Sequence, residues 1–554
     1  MSDSALTIYT AKRIRTMDPS LPTADAIAVV GDRIKAVGSM EELAALGKAT
    51  IDDRYANSVL FPGFVEAHAH PMGGGMWKYA YIGYYGRMSP DGRRWPGCTD
   101  LASVLARLRD AEAELVDPTM PLLAWGLDPI YFSGERLDRR HLDSVSATRP
   151  IYIMHQSLHI ATVNSVVLRD DAITRDTTVV GVAKDASSEP TGELQEPAAM
   201  GLARSVPSLL ELGFDELAVR NFAADARNHG VTTLTDLGSS MLMDSDAVTS
   251  YRSLVDSPDF PARISVFHMG GGLGSGQVSP VEAAERMLEL RRTSTAKMQL
   301  GHVKLVLDGS IQGFTARLQP PGYLPDDRKG IWLMPPETFA ETFTVFHRAG
   351  LTVHVHCNGD EATELFLDTV EQALAEFPRW DHRHTVTHSQ LSTPAQYRRM
   401  AALGMCANLF SNHLWYWGDQ HHDLILGPDR ASRMNAAATA LRAGVPIALH
   451  SDSPVTPLDA LATASYAAGR ITPSGRVLGE RERISIPDAL RAVTLGAAYM
   501  LKLDHLVGSL EPGKYADFAV LSEDPFESQI DTLRDIVVHG SVVGGRHFAA
   551  GEDC

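Results

Sequence analysis

The sequence predicts an α/β protein: a (β/α)8 TIM barrel carrying a small β-sandwich assembled from both ends of the chain. Three observations predict it. Apolar strand-like runs alternate with amphipathic helical stretches through the middle of the chain, the pattern of βα units around a parallel sheet. Both ends read instead as short strands with turn punctuation. Residues of metal-ligand type recur where candidate strands end, the rim at which such barrels gather their active sites.

Taken in order, Leu6–Tyr9, Ala26–Val30 and Arg33–Val37 are strand candidates, with a hairpin turn at Gly31-Asp32 and a short helix over Met40–Leu46. At the far end, Gly508–Asp517 leads into the strand Phe518–Leu521, and Ile536–His539 and Ser541–Val543 flank Gly540. Residues 1–60 and 500–554 are therefore assigned to the sandwich and 61–499 to the barrel. In the middle, strand candidates are Ile151–Met154, Thr232–Asp236, Arg263–Phe267, His302–Leu307, Thr352–His356, Thr385–His388, Gly404–Asn408 and Val445–His450. Helix candidates are Asp215–His229, Val281–Thr293, Pro336–Ala349, Ala362–Phe377, Pro394–Leu403 and Ala431–Ala443. Gly230, Gly350, Gly404 and Gly444 stand near helix ends, where a left-handed residue closes the last turn. From about 72 to 207 the pattern is longer and less regular than one βα unit needs, and is read as an insertion that builds part of a pocket.

Composition narrows the function. A chain of 554 residues exceeds one hydrophobic core, and 44% hydrophobic with 21% charged residues argues against extended disorder. A formal charge of −18 argues against a nucleic-acid-binding surface. Cys98, Cys357, Cys406 and Cys554 are widely spaced, without a Cys-x-x-Cys pair, as in a reducing compartment. Residues 1–22 hold no apolar signal core, and no run of about 18 apolar residues is available to span a bilayer. The expectation is a cytoplasmic protein acting on a small molecule, with neither nucleic acid nor membrane as partner, and of a size that permits a homodimer.

The candidate site begins at Phe61–Pro71, an apolar run ending in His68 and His70. On a strand, side chains two apart share a face, so both imidazoles could seat one borderline cation; alone, the pair could equally be solvated or hydrogen-bonded. Other strand ends decide between these readings. His356 closes one candidate strand, His388 follows 32 residues later and Asp452 a further 64. One βα unit and then two fit those intervals, which puts His356, His388 and Asp452 at the ends of strands five, six and eight. Lys304 sits inside an apolar strand, where a charged amine is costly to bury. Such a lysine could bind carbon dioxide as a bridging carbamate, snorkel to the rim, or pair with Asp308. His354 and His450, two residues before His356 and Asp452, face inward one layer deeper, as supports for the ligands or as core histidines. His421-His422 reads as a solvated loop.

Together the run Phe61–Pro71, the segment Gly230–Asp236, Lys304-x-x-x-Asp308-Gly309-Ser310, His356-x-x-Gly359-Asp360 and Ser451-Asp452-Ser453-Pro454 resemble the amidohydrolase superfamily. They resemble most its amidohydrolase-3 branch, which includes N-substituted formamide deformylases; His159–Ser165, Pro190–Glu196 and the tail Gly508–Asp517 are similar to that branch too. The resemblance implies a metal-dependent hydrolase with one or two ions. His68, His70 and Asp452 would serve one metal, His356 and His388 a second, and carboxylated Lys304 would bridge them. Zinc is expected from imidazole-rich ligation, with iron or manganese also compatible. Asp452 would act as general base and acid, and His159 as a donor to the developing oxyanion. The implied reaction is hydrolysis of the C–N bond in a linear amide, an N-substituted formamide or N-acyl amine. Deamination, opening of a cyclic amide or lactone, and a retro-aldol or decarboxylation step are alternatives on the same site; a non-catalytic scaffold is the outlying one. Trp77, Tyr79, Tyr81, Tyr84, Tyr85, Trp95, Trp125 and Trp415-Tyr416-Trp417 would suit an apolar or aromatic substituent, or would glue the insertion to the barrel.

Overall fold

The computed structural model describes residues 5–132, 136–207, 215–271 and 278–551. Its central sheet has eight strands: Phe64–Val65, Val231–Ser239, Arg263–Met269, Met298–Val306, Val353–Cys357, Thr385–His388, Cys406–Leu409 and Ile447–Leu449, in chain order and all parallel. The ring closes through an isolated bridge between Ala69 and Ser453. There the His70 N–H donates to the Ser453 carbonyl at 2.8 Å and the Asp452 N–H to the His68 carbonyl at 3.0 Å. The segments that carry His68, His70 and Asp452 are therefore stitched to one another directly. His356 and His388 lie in strands five and six, and Asp452 follows strand eight, as the spacing predicts.

Helices Glu216–Asn228, Pro280–Arg291, Pro336–Arg348, Asp360–Glu376, Pro394–Leu403 and Ala437–Arg442 surround the ring. Local chemistry starts and stops them. Asp215 and Ser279 accept N–H bonds at N-caps, Thr393 and Gln396 form a capping box, and Gly404 takes φ 70° to end its helix. Phe222, Met287, Phe343, Phe366 and Met400 pack with the outward sides of the strands in one apolar cluster. Each such fully buried side chain contributes about 2 kcal/mol. The N-terminal mouth of the barrel is plugged by the stretch after it: Ala497, Met500, Leu501 and Val507 join Val65, Ala67, Phe267 and Ala448 in a single cluster.

Strands from both ends of the chain make one continuous seven-stranded sheet, in which Phe518–Leu521 lies antiparallel to Thr50–Pro62. Its Arg33–Gly38 edge is tied back to the C-terminal segment, the Ile34 N–H donating to the Lys514 carbonyl at 2.9 Å and the Gly513 N–H to the Ile34 carbonyl at 2.8 Å. The faces so brought together share a core that includes Ile14, Ile27, Leu60, Phe518 and Val542. The two short strands expected around Gly540 are a single strand, Val538–Val543, because Gly540 at φ 143° lets the chain bend without leaving the ladder.

The insertion is more ordered than its sequence suggests. It holds a six-stranded sheet in which Ile151–His155 pairs in parallel with Leu122–Leu127 and antiparallel to Ile160–Val163. The candidate strand Ile151–Met154 thus belongs to this second sheet and not to the barrel. Its continuous apolar run marks a strand buried on both faces, which reads alike in either sheet. Among the described residues no helix is long and apolar enough to cross a membrane.

Candidate metal centre

Three donor atoms meet at the seam between the first and last barrel strands. His68 Nε2 and His70 Nε2 are 3.2 Å apart, and Asp452 Oδ1 lies 3.2 Å from the first and 3.3 Å from the second. A hydrogen bond could account for one of these contacts but not for a closed triangle of lone-pair donors. Edges of this length belong to a tetrahedron whose centre lies about 2.0 Å from each corner, the length of a zinc–imidazole or zinc–carboxylate bond. The donor set therefore fits a zinc-class cation. Burial would raise the Asp452 carboxyl, but a hydrogen bond from His70 and the nearby Lys304 amine help outweigh it and keep its pKa below the usual carboxylate value. Burial also keeps His68 neutral, its pKa driven well below that of free imidazole.

His388 reaches the same place by a different route. In register it pairs with Cys357 and Leu409, which face the helices. Its φ of 70°, followed by 48° at Ser389, turns it out of strand alternation, a strained geometry of the kind stored at functional sites. Its ring then lies 4.8 Å from that of His68 and 4.4 Å from that of His356, centroid to centroid. His68, His388, His450 and Asp452 each present a ligand atom, all within 4.8 Å of one another. His356 is fixed by Asp308, whose Oδ1 is 3.1 Å from its Nδ1. Asp308 is itself held by the N–H groups of Asn358, Gly359 and Arg317 at 2.8–3.0 Å. An N–H on His356 Nδ1 leaves Nε2 as the lone-pair nitrogen.

Lys304 is 2% exposed, and its Nζ has no hydrogen-bond partner among the described residues. It neither snorkels nor pairs with Asp308. Burial pulls its pKa down to about 7 against the pull of Asp452, so a large share of the amine is neutral and nucleophilic at physiological pH. In register it pairs with Met269 and His354, and its strand lies next to the one that carries His356.

His159 leaves the insertion sheet and sits with its ring 5.4 Å from that of His356. Its Nδ1 is 2.7 Å from Glu196 Oε2. Burial alone would lower the imidazole, but Glu196 outweighs it and raises its pKa. Glu196 is 2% exposed at φ 65°, and a Cβ on Gly309 would lie 2.2 Å from its Oε1. The glycine after Asp308 is therefore required by the glutamate's approach.

Sequence reasoning singled out His68, His70, Lys304, His356, His388, Asp452 and His159, and the fold gathers them around one rim. It did not assign the residues that hold them: Glu196, Asn408 and Glu66, and Asp308, which it offered only as a partner for Lys304. Glu66 accepts from the His68 N–H at 2.9 Å and the Ser451 hydroxyl at 2.7 Å, clamping both sides of the closing seam. A glutamate two residues before His68 was the available signal. His421 is not solvated: the turn His421–Ile425 buries it, with Nε2 3.1 Å from His413 Nδ1, while His422 stays at the surface beside Asp423. The aromatic residues divide. Trp77, Tyr81 and Trp125 pack within the insertion, whereas Tyr85, Tyr131, Trp415, Tyr416 and Tyr466 join insertion to barrel and continue through Phe410 to His388.

Comparison with known proteins gives a consistent picture. The amidohydrolase family profile matches residues 56–548. The chain is 29% identical to the protein LONG AFTER FAR-RED 3 of Arabidopsis thaliana, over 98% of this chain and 91% of that one. It is 26% identical to the N-substituted formamide deformylase of Arthrobacter pascens, over 96% of each. Among solved structures, a metal-dependent hydrolase of Pyrococcus horikoshii superposes with a TM-score of 0.70 at 18% identity, covering 95% of this chain and 99% of that one, a likeness of fold.

Proposed function

This chain belongs to the amidohydrolase family, and on that premise we propose that it hydrolyses a linear amide, an N-substituted formamide or N-acyl amine bearing an apolar or aromatic group. The observation that carries the reading is the closed triangle of donor atoms from His68, His70 and Asp452. His68 and His70 with Asp452 would hold one cation; His356 and His388 would hold a second, with Lys304 as its carbamate available to either. Zinc is the metal this imidazole-rich set favours.

A bound cation of this class supplies Lewis acidity and a water acidic enough to attack at neutral pH. Asp452 accepts the proton of that water as the new C–O bond forms, and delivers it to the amide nitrogen as the C–N bond breaks. The products are a carboxylic acid, formic acid from a formamide, and a free amine. His159, its pKa raised by Glu196 against the pull of burial, would donate to the carbonyl oxygen as negative charge develops on it, a contribution of about 3 kcal/mol. The half-exposed rings of Tyr85, Tyr131 and Trp415 support the apolar substituent. The deformylase relative supports the formyl group.

The test is turnover of a panel of aryl and alkyl formamides, N-acyl amines, cyclic amides and lactones by protein of measured metal content. Release of amine from linear amides is expected, fastest with aromatic substituents. Preference for cyclic substrates, or no turnover by metal-replete protein, would overturn the assignment.

A further inference from the structure

The structure assigns His450 and Asn408 as a positioning relay that fixes the ring tautomer of His388, presenting its Nε2 lone pair for metal ligation. The hydrogen-bond directions follow from one group that can only accept. The Ala67 carbonyl receives the Asn408 side-chain Nδ2–H at 3.3 Å, which turns Asn408 Oδ1 the other way. That oxygen is 2.9 Å from His450 Nδ1, so His450 carries its proton on Nδ1 and donates. His450 is fully buried and hydrogen-bonded to neutral partners only, so its ring is neutral and Nε2 has no proton. Nε2 is 3.1 Å from His388 Nδ1, which must then be the donor. A neutral imidazole with hydrogen on Nδ1 is left with Nε2 as its sole lone-pair nitrogen.

The relay links four strand positions around the closing seam: Ala67 beyond the first strand, Asn408 in the seventh, His450 after the eighth and His388 at the end of the sixth. Asn408 and His450 are 0% exposed and His388 2%, so water does not substitute for any link. Both nitrogens of His450 are committed within it, which separates its role from that of the ligands although the residue presents a ligand-type atom beside those of His68, His388 and Asp452. A partner that orients a ligating histidine changes metal affinity by 10- to 100-fold when removed.

The inference rests on His388 ligating a cation, and the experiment separates the two ideas. Apoprotein, His450→Leu, His450→Gln and Asn408→Leu are titrated with zinc against a competing chelator, with thermal unfolding as a folding check and the visible spectrum of the cobalt(II)-loaded protein as a coordination signature. His450→Leu approximates the volume and removes the acceptor; zinc affinity should fall by 10- to 100-fold. His450→Gln places an amide oxygen near the position of Nε2 and should stay within threefold, with the parent cobalt spectrum. Asn408→Leu, one bond further out, should fall with His450→Leu and serves where that variant does not fold. Unchanged affinity in both leucine variants, or an equal loss in His450→Gln, overturns the relay while parent metal binding still stands. A parent that binds no metal overturns both the metal reading and the relay.

Discussion

Replacing Glu196 with glutamine tests the oxyanion donor with the least disturbance of shape. The glutamine oxygen can still accept the Nδ1–H of His159, which the glutamate holds at 2.7 Å, so ring position is preserved. What changes is charge. Burial lowers the His159 pKa, and Glu196 with help from Asp452 and Asp308 outweighs it; without the glutamate's charge only those two carboxylates oppose burial, so the pKa falls and more of the ring is neutral at pH 7. The neutral ring keeps its one proton on Nδ1, facing residue 196, and Nε2 has none to donate. Loss of one such donor costs about 3 kcal/mol, roughly a hundredfold in kcat at 1.36 kcal/mol per decade. The sign of the pH effect is fixed as well. The donor is active below the His159 pKa, so the alkaline limb of the parent profile moves to lower pH in the variant, and the variant recovers activity as pH falls. The assay is steady-state kcat across pH 5–9 with metal content measured in each preparation. A variant within threefold of parent at pH 7, or an alkaline limb that does not move, refutes the role of the dyad.

Asp452→Asn keeps the side-chain volume and removes the proton acceptor; kcat per bound metal should fall by 10²–10⁴, the range for a general base, in a metal-quantified turnover assay. Lys304 as a carbamate predicts a carbon-13 carbamate resonance on loading with labelled bicarbonate, and tighter uptake of a second metal; Lys304→Met should abolish both. A third prediction concerns a buried network outside the site, in which His347 Nδ1 lies 3.0 Å from His384 Nε2, while the His382 and His347 rings donate to the Leu403 and Phe377 carbonyls at 2.8 Å. Burial lowers the pKa of all three, His382 to about 4. Their unfolded forms protonate near 6.5 and so bind more protons below that pH; stability is full above about pH 6.5 and lost as pH falls toward 4, about 3 kcal/mol from His382 alone. Urea midpoints that stay level between pH 6.5 and 5 would contradict this.

How legible the site is depends on how its residues are held. His68, His70, His356 and Lys304 could be read because they occupy strands or strand extensions, where a period of two and a βα repeat of about thirty residues relate sequence position to spatial position. The barrel follows from the same two periodicities. The insertion sheet did not emerge because its strands are only two to six residues long and the helices between them are short or unevenly spaced, so neither periodicity runs long enough to register. Glu196, Asp308 and Asn408 were not assigned their roles for another reason. They are ordinary polar residues locally, and acquire meaning only from partners 37, 48 and 42 positions away.

The deeper reason lies in the backbone. His388, Ser389 and Asp452 take φ values of 70°, 48° and 54°, and Leu158 and Glu196, which frame His159, take 61° and 65°. Non-glycine residues rarely adopt this region, at a cost of order 1–3 kcal/mol each, and they persist in it only where surrounding contacts over-determine them. Here those contacts are visible: His450 against His388, the stitched seam with the Glu66 clamp beside Asp452, and Ser310 with Thr315 packed around Gly309, next to Glu196. Alternation would have turned His388 toward the helices. Strained turns at the rim bring side chains from separate strand ends into one donor set, and the buried hydrogen-bond partners behind them keep those turns from relaxing.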